Sequence, residues 1–248
     1  MENKLVLQHE RVDDLQIALS NGKNLCIIQN PKYFCFGLDA VLLANFARIP
    51  KNAEVADIGC GGGVIPLILA AKTNAKHIIG LEIQEDVAQM AQRSVKLNDL
   101  DNRITIEAVD IKQYVNPAYF DVLTCNPPYK EKGSGLKNPN LHHAIARHEI
   151  CCTLADIIKA ASQLLKPNGR LNIIHRPQRL VDIICTMREY KIEPKRIRFV
   201  YPKPHKVATS LLIEGIKNSN PNLLFEPPLY IYDENGNYTL ELMDTVKD

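Results

Sequence analysis

The sequence predicts an α/β fold built on a doubly wound, mostly parallel sheet of seven strands. From residue 54 onward, short apolar runs typical of buried strands alternate with helical stretches, which is the pattern of parallel βαβ units. The chain has 248 residues, 46% of them hydrophobic, enough to bury one full core. We therefore expect a core domain at residues 51–248 and, at residues 1–50, strands and a helix packed on that core.

The individual elements follow from local patterns. Residues 1–23 are polar and mixed, and we expect them to be partly mobile; two short strands around Asn30-Pro31 then lead into an apolar helix at 40–47. A second, terminal hairpin is predicted through Asn235-Gly236, because this dipeptide favours a tight turn. The core strands are predicted at 55–58, 77–81, 104–108, 120–125 and 170–175, with helices at 64–72 and 85–98 and a closing hairpin that pairs 196–201 with 206–216.

Composition excludes several classes of protein. No apolar run reaches the ~18 residues that a membrane span needs, and the N-terminus lacks the apolar core of a signal peptide. The seven cysteines show no Cys-x-x-Cys spacing, so reduced thiols are expected rather than disulfides or a zinc ribbon. The histidines and cysteines between 142 and 152 also lack customary zinc spacing. We expect a cytoplasmic monomer with no metal, no membrane contact and no obligate protein partner.

A glycine-rich loop follows the first core strand. Gly59 and Gly61 allow a tight turn and close approach of a ligand to the backbone. Val64 stands where a dinucleotide fingerprint needs Gly or Ala, and no Walker motif is present, so a nicotinamide is disfavoured and a Walker nucleotide site is excluded. The Asp57-x-Gly59-x-Gly61 pattern resembles the first motif of Rossmann-like, class I S-adenosylmethionine-dependent methyltransferases. A purely structural tight turn is the alternative.

Acidic residues follow the next two strands. Glu82 lies about 20 residues past the glycine loop, the spacing at which a carboxylate accepts both ribose hydroxyls of a nucleotide-like cofactor. Asp110 follows the third strand and is placed to accept from the adenine amino group, with Ile83 and Ile111 on either side of the ring. Either acid alone could be a surface cap, but their positions at successive strand ends favour a cofactor site.

The fourth strand ends at Asn126-Pro127-Pro128-Tyr129. The two prolines stiffen the backbone and cannot donate hydrogen bonds, so the Asn126 amide oxygen and the Pro127 carbonyl are rigid acceptors beside an aromatic ring. This arrangement fits a planar amino group whose two N–H bonds are accepted while Tyr129 stacks on its ring; Asn126 would also face the cofactor. A proline-terminated strand before a loop is the alternative. The motif resembles that of amino methyltransferases acting on adenine N6, guanine N2 or a glutamine amide.

Two basic segments are candidates for contact with RNA. The long polar loop 130–148 is placed to cover a base that has left its stack, and the segment 188–206 carries seven basic residues against two acidic ones. An ordinary solvated surface is the alternative reading of the second segment. The candidate RNA-binding residues are Lys130, Lys132, Arg147 and His148 in the loop, and Lys195, Arg196, Arg198, Lys203 and Lys206 in the second segment.

Several motifs together resemble one family, the bacterial tRNA adenine-N6 methyltransferases that modify the adenosine beside the anticodon of a valine tRNA. The resemblance covers about residues 24–240. It implies a Rossmann-like methyltransferase domain with small N- and C-terminal β additions, S-adenosylmethionine as cofactor and tRNA as partner. The motifs are 36–43, the Asp57 loop with 65–67, Asn126 to Tyr129, Ala146-Arg147-His148-Glu149 and 227–229.

Four other functions remain open from the residues alone. A glutamine methyltransferase acting on a release factor shares the 126–129 motif but resembles a chain with a larger helical N-terminal domain, and an enzyme acting on another RNA has the same chemistry. A DNA adenine methyltransferase would usually carry a target-recognition domain, for which no room is expected. A non-catalytic RNA-binding module would not need Glu82 and Asp110.

Overall fold

A nine-stranded sheet and a separate two-stranded sheet organise the computed structural model, which describes residues 5–19, 22–33, 35–127 and 152–247. None of the helices in those ranges is long and apolar enough to cross a membrane. The strands are β1 (Arg11–Ala18), β2 (Asn24–Gln29), β3 (Glu54–Ile58), β4 (His77–Glu82), β5 (Ile104–Ala108), β6 (Phe120–Cys125), β7 (Leu165–His175), β8 (Ile192–Tyr201), β9 (Ser210–Lys217), β10 (Leu224–Phe225) and β11 (Leu229–Tyr230). The helices are α1 (Leu38–Phe46), α2 (Val64–Lys72), α3 (Glu85–Leu97), α4 (Leu154–Leu164), α5 (Leu180–Glu189) and α6 (Leu240–Lys247), with a 3₁₀ turn at Pro177–Arg179.

The large sheet is doubly wound around β3. Its order is β10-β8-β9-β7-β6-β3-β4-β5, and β11 also pairs with β8. Strands β3 to β7 run parallel, whereas β9 is antiparallel to both β7 and β8. The chain reverses its direction of travel across the sheet beside β3, where open α/β sheets bind ligands. The predicted seven-stranded, Rossmann-like core is confirmed, with β10 and β11 as additions.

Burial of the sheet on both faces explains its sequence. All five residues of β3 are buried, because parallel strands covered by helices need continuous apolar runs. One core cluster contains Leu42 of α1, Leu67 of α2 and Ala91 of α3, while a second contains Ile158 of α4 and Ile183 of α5. Helices α1–α3 and helices α4–α5 therefore cover opposite faces of the sheet.

The N-terminal hairpin, β1 with β2, packs against α3 through polar contacts. Asn98 accepts from the Cys26 N–H (2.8 Å) and donates to its carbonyl, and the Ser94 hydroxyl accepts from the Ile28 N–H (3.0 Å). Arg93 forms a bidentate ion pair with Glu10 at 2.7 Å. The expectation of a partly mobile segment is therefore wrong for β1, which pairs with β2 from Arg11 to Asp14 and again at Ala18.

The C-terminal segment departs from the predicted hairpin. β11 pairs in parallel with β8, and only the single antiparallel bridge Tyr232–Tyr238 remains of the terminal hairpin, with Gly236 at φ 89° in its turn. Helix α6 follows. The turn was predicted correctly because Asn-Gly favours positive φ, but the strand after it is too short to pair further.

Arg196 does not lie on a basic surface, so its prediction as an RNA contact is wrong. Its side chain is only 6% exposed and its guanidinium forms ion pairs with Glu214 (3.3 Å) and Glu226 (3.1 Å). It also donates to the Phe46 carbonyl (2.6 Å) and lies over the Phe46 ring, 3.8 Å from its centroid. Arg196 faces inward and joins β8, β9 and α1, because alternate residues of a strand face opposite sides.

Substitution of Arg196 by Ala should destabilise the fold strongly, because it leaves Arg170 as the remaining ion-pair partner of the buried Glu214 carboxylate and removes the bond to the Phe46 carbonyl. We expect the free energy of unfolding to fall by about 3–5 kcal/mol. The neighbouring Lys195→Ala, whose side chain bonds only near the surface to the Asn220 carbonyl, should change it by less than about 0.5 kcal/mol. Urea denaturation measures both, and equal losses would contradict the buried network.

Candidate functional site

The carboxyl ends of four neighbouring strands meet at one edge of the sheet. Ile58 pairs with both Cys125 of β6 and Leu81 of β4, and Glu82 pairs with Ala108 of β5. A cavity opens at this edge, and it brings together residues from the ends of all four strands. Its lining consists of Ile58, Gly59, Leu81, Glu82, Ile83, Val109, Asp110, Ile111, Cys125, Pro127, Cys152 and Ile157.

The glycine loop after β3 borders open space. Gly59 and Gly61 have φ values of 70° and 54°, a region that strains other residues. A Cβ atom built at either glycine would meet no atom within 4 Å, so a ligand can approach this backbone closely. The loop is held against β4, where Gly80 is required: a Cβ there would lie 2.8 Å from the Cys60 Sγ.

Glu82 connects the two loops beside the cavity. Its carboxylate accepts the Gly61 N–H through Oε2 (3.0 Å) and the Gln84 N–H through Oε1 (2.9 Å). The residue is only 3% exposed. Because two carboxylate oxygens offer about four acceptor positions, Glu82 retains capacity for two further donors from a ligand.

Asp57 is a buried carboxylate with an unsatisfied oxygen. It is 1% exposed; Oδ1 accepts from the Thr124 hydroxyl (2.7 Å), whereas Oδ2 has no hydrogen-bond partner. Burial, with a smaller contribution from the negative charge of Glu82, raises the pKa of Asp57 to about 7 against the lowering effect of the Thr124 bond. The arrangement favours a cationic ligand group or a proton at Oδ2.

The third strand end supplies a polar group and apolar walls. Asp110 accepts the Lys112 N–H at 2.9 Å and lies 3.6 Å from the Lys112 ammonium group. Ile83 and Ile111 line the cavity together with Asp110, and Ile83 is 41% exposed. Two branched side chains beside a carboxylate suit a flat ring that carries an amino group at its rim.

The predicted acceptor motif begins at the same edge. Asn126 follows β6 directly and is partly exposed, and the residues on both sides of it, Cys125 and Pro127, line the cavity. The structure therefore brings the beginning of this motif beside the glycine loop, Glu82 and Asp110. The remaining predicted site residues of this region, Pro128, Tyr129, Lys130, Lys132, Arg147 and His148, lie outside the described residues.

The other basic candidates lie on and after β8. Lys195 donates to the Asn220 carbonyl, and Arg198 donates to the Pro227 carbonyl (3.0 Å) and pairs with Glu241. Lys203 and Lys206 lie in the loop after β8, and Lys206 is exposed. Two lysines of the predicted segment are thus placed at a loop surface, while Arg198 is held by the C-terminal segment.

Sequence reasoning missed several residues of the site. Thr124 pairs in register with Asp57 on the neighbouring strand, and a lone threonine within an apolar strand could have drawn attention to it. Val109, Cys152 and Ile157 also line the cavity; the last two reach it only because α4 packs over the sheet, which no local pattern shows. Among the described residues, no cluster of His, Cys, Asp or Glu could hold a metal.

Comparisons with known proteins agree on one class. Residues 36–189 match the family model described as "Methyltransferase small domain". A protein of Porphyromonas gingivalis named tRNA1(Val) (adenine(37)-N6)-methyltransferase is 32% identical, with 72% of each chain covered. A Bacteroides thetaiotaomicron protein of the same name is also 32% identical, covering 80% of this chain and 85% of the relative. The crystal structure titled as a predicted O-methyltransferase of Agrobacterium tumefaciens has a TM-score of 0.69 and 25% identity, covering 84% and 95%.

The raised pKa of Asp57 predicts a pH-dependent stability cost. The unfolded carboxyl ionises near its usual pKa, whereas the folded one resists ionisation until a pKa of about 7. The free energy of unfolding is therefore highest below the pKa of Asp57 in the unfolded chain. This stability is lost as the pH rises through the pKa of Asp57 in the folded chain. Asp57→Asn should remove this loss and gain up to about 4 kcal/mol relative to the native chain between about pH 4 and pH 8.

Urea denaturation of both chains at several pH values measures this difference. Because the comparison is made across pH, constant effects of the amide on packing cancel. Asp182→Asn, at an exposed position on α5, is the matched control and should show no such trend. A stability difference between Asp57→Asn and the native chain that stays constant with pH would contradict the assignment.

Proposed function

Because the chain belongs to the methyltransferase small domain family and to the tRNA1(Val) (adenine(37)-N6)-methyltransferases, we propose that it methylates the N6 amine of an adenosine in tRNA. The methyl donor is S-adenosylmethionine. The adenosine beside the anticodon of a valine tRNA is the proposed target. The observation that carries the proposal is the convergence of the glycine loop, Glu82, Asp110 and Pro127 on one cavity beside Asn126.

The residues present fit this donor. The open space at Gly59 and Gly61 accommodates the amino-acid part, and the unsatisfied Asp57 Oδ2 matches its ammonium group. Glu82 retains acceptor capacity for two ribose hydroxyls, and Asp110 with Ile83 and Ile111 suits an adenine ring. When bound, the donor supplies an electrophilic methyl group on a sulfonium sulfur.

The proposed chemistry at the acceptor depends on orientation. An exocyclic amine is a poor nucleophile because its lone pair is delocalised into the ring. If the Asn126 side-chain oxygen and the Pro127 carbonyl each accept one N–H, the lone pair is directed at the methyl group for in-line attack. No strong base is needed, because the methylated amine becomes acidic and releases its proton. Pro128 and Tyr129 are proposed to stiffen the motif and stack on the target base.

The same chemistry would also methylate a glutamine amide, but that alternative is not favoured. Both relatives described above are named for adenine N6, and they match this chain over most of its length. The proposed RNA contacts outside the cavity are Lys130, Lys132, Arg147, His148, Lys195, Arg198, Lys203 and Lys206. We further propose that the enzyme acts as a monomer in the cytoplasm.

Mass spectrometry of nucleosides tests the proposed function directly. The purified chain is incubated with methyl-labelled S-adenosylmethionine and an unmodified valine tRNA transcript, which is then digested. Labelled N6-methyladenosine is the expected product. A transcript with adenosine 37 replaced by guanosine is the control and should remain unlabelled. Label in a release-factor peptide but not in the transcript would overturn the proposal.

Asn126→Ala should separate catalysis from cofactor binding. Because the amide oxygen orients the acceptor amine, we expect kcat to fall by about 10²- to 10³-fold. The Kd for S-adenosylmethionine should stay nearly unchanged. Asn116→Ala, in the loop that precedes β6 at the opposite edge of the sheet, is the matched control. Undiminished turnover of Asn126→Ala would refute the role of the amide.

Glu82→Ala should do the reverse and weaken donor binding first. The loss of charged hydrogen bonds to the ribose should raise the Kd for S-adenosylmethionine by about 10- to 150-fold. Glu85→Ala removes an exposed carboxylate three positions further along, which accepts a bond from Gln89, and should bind normally. Isothermal titration measures both variants after thermal melting has shown that they fold. Equal affinities would exclude Glu82 from the donor site.

A further inference from the structure

A second surface lies at the same edge of the sheet as Asn126. β8 runs parallel to β6, because β9 is antiparallel to both β7 and β8. Tyr201 of β8 pairs in register with Tyr230 of β11. The loop after Tyr201 and the segment after Tyr230 therefore emerge at the edge of the sheet where β6 ends. Three strand spacings separate β8 from β6 in the order β6-β7-β9-β8, and β11 lies one strand beyond β8, so this surface begins about 14 Å from the acceptor motif.

The two chain segments form one rigid surface. The Ile231 and Tyr232 N–H groups donate to the carbonyls of Tyr201 (2.9 Å) and Pro202 (3.0 Å). The Asp233 carboxylate accepts the Asn237 N–H at 2.9 Å inside its own turn. These bonds hold the 231–239 segment beside the 202–209 loop, so groups on both segments can contact one ligand together.

Stacked tyrosines give this surface an exposed aromatic face. The rings of Tyr232 and Tyr238 lie 5.0 Å apart with an interplanar angle of 17°, and Tyr238 is 55% exposed. Behind them, Tyr201 and Tyr230 pair at 5.5 Å. Exposure of so large a ring costs the fold apolar burial, and the stacked neighbour fixes its orientation. The result is a pre-oriented π-face that a flat partner can cover.

Two lysines lie in the loop beside the aromatic face. The Lys203 ammonium lies over the 233–236 turn, 3.5 Å from the position of a Cβ on Gly236, and Lys206 is exposed in the same loop. Arg176, which follows β7 and donates to the Thr209 carbonyl at 3.0 Å, lies between this loop and β6 in the strand order. Cations therefore accompany the path from the acceptor motif to the tyrosines. The 233–236 turn itself carries two carboxylates, Asp233, which accepts the Asn237 N–H, and the exposed Glu234.

We propose that the Tyr–Lys surface, composed of Lys203, Lys206, Tyr232 and Tyr238, binds the unpaired RNA strand next to the target adenosine. An unpaired base stacks on Tyr238, and the two lysines contact phosphates. Exposed aromatic rings interleaved with lysines are how proteins bind single-stranded nucleic acid, and an adenosine beside an anticodon lies in a loop of unpaired bases. This inference rests on the proposed function and adds a subsite to it.

Titration of labelled valine tRNA transcript tests the stacking contact. Tyr238→Ala should raise the RNA Kd, and the KM for RNA, by about 5- to 150-fold, with kcat unchanged at saturating RNA because the surface is remote from the acceptor motif. Tyr238→Phe keeps the ring and should bind like the native chain. Tyr119→Ala, at the amino end of β6 on the opposite edge, is the matched control. An unchanged Kd for Tyr238→Ala would overturn the stacking contact.

A tryptophan reporter reads the same contact independently of folding losses. The native chain contains no tryptophan, so Tyr238→Trp introduces a single fluorophore. Base stacking should quench its emission when RNA is added, whereas Tyr119→Trp should not respond. Equal responses of the two variants would contradict the proposal.

The salt dependence of RNA binding tests the lysine–phosphate contacts. Lys206→Ala should lower the slope of log K against log salt by about one, whereas Lys51→Ala, before β3 on the opposite edge, should leave it unchanged. Equal slopes for the two variants would remove Lys206 from the surface. The outcome is separable from the proposed methyl transfer. If the native chain labels the transcript while the Tyr238 and Lys206 variants bind RNA normally, this subsite and the RNA contact of Lys206 are refuted and the methyl transfer stands.

Discussion

The geometry of the site depends on the two hydrogen bonds that the Glu82 carboxylate accepts. It is buried at the end of β4 and accepts backbone N–H groups from both the glycine loop and the residue that precedes α3. A buried carboxylate is tolerated only when it is hydrogen-bonded. The two N–H groups therefore stabilise the charge of Glu82, and the carboxylate in turn fixes the positions of both loops. One side chain, Glu82, thereby fixes the two loops that border the cavity. Glycine at position 61 lets this bond form without backbone strain, because its φ is 54°.

The site retains Asp57 although this residue lowers the free energy of unfolding. A buried carboxyl with a raised pKa and one unsatisfied oxygen costs folding free energy once the pH exceeds the pKa of the unfolded carboxyl. A hydrophobic or amide side chain at this strand end would pack without that cost. The orphaned Oδ2 is accounted for if the donor's ammonium group binds there, so the strain in the free chain becomes binding energy in the complex.

Much of the core was predictable from the sequence because its periodicity is strong. The bounds of α2, β5 and β6 agree with their patterns to the residue, and the meeting of Gly59, Glu82 and Asp110 at one edge follows from the rule that parallel strands share their carboxyl ends. β1 was missed because most of its side chains are exposed and polar, so pairing with β2 decides its structure.

Arg196 was mistaken for a surface residue because charge alone does not tell which side of a strand a residue faces. Its partners Glu214 and Glu226 are 18 and 30 positions away, beyond any local pattern. Cys152 likewise joins the cavity through tertiary packing.

The central claim, that one sheet edge holds both the methyl donor and the acceptor amine, is tested most directly by a crystal structure with S-adenosylhomocysteine and adenosine monophosphate. We predict ribose hydroxyls on Glu82 and the sulfur facing an adenine N6 held at Asn126. A donor product bound with its ribose away from Glu82, or with its sulfur directed away from Asn126, would contradict the account.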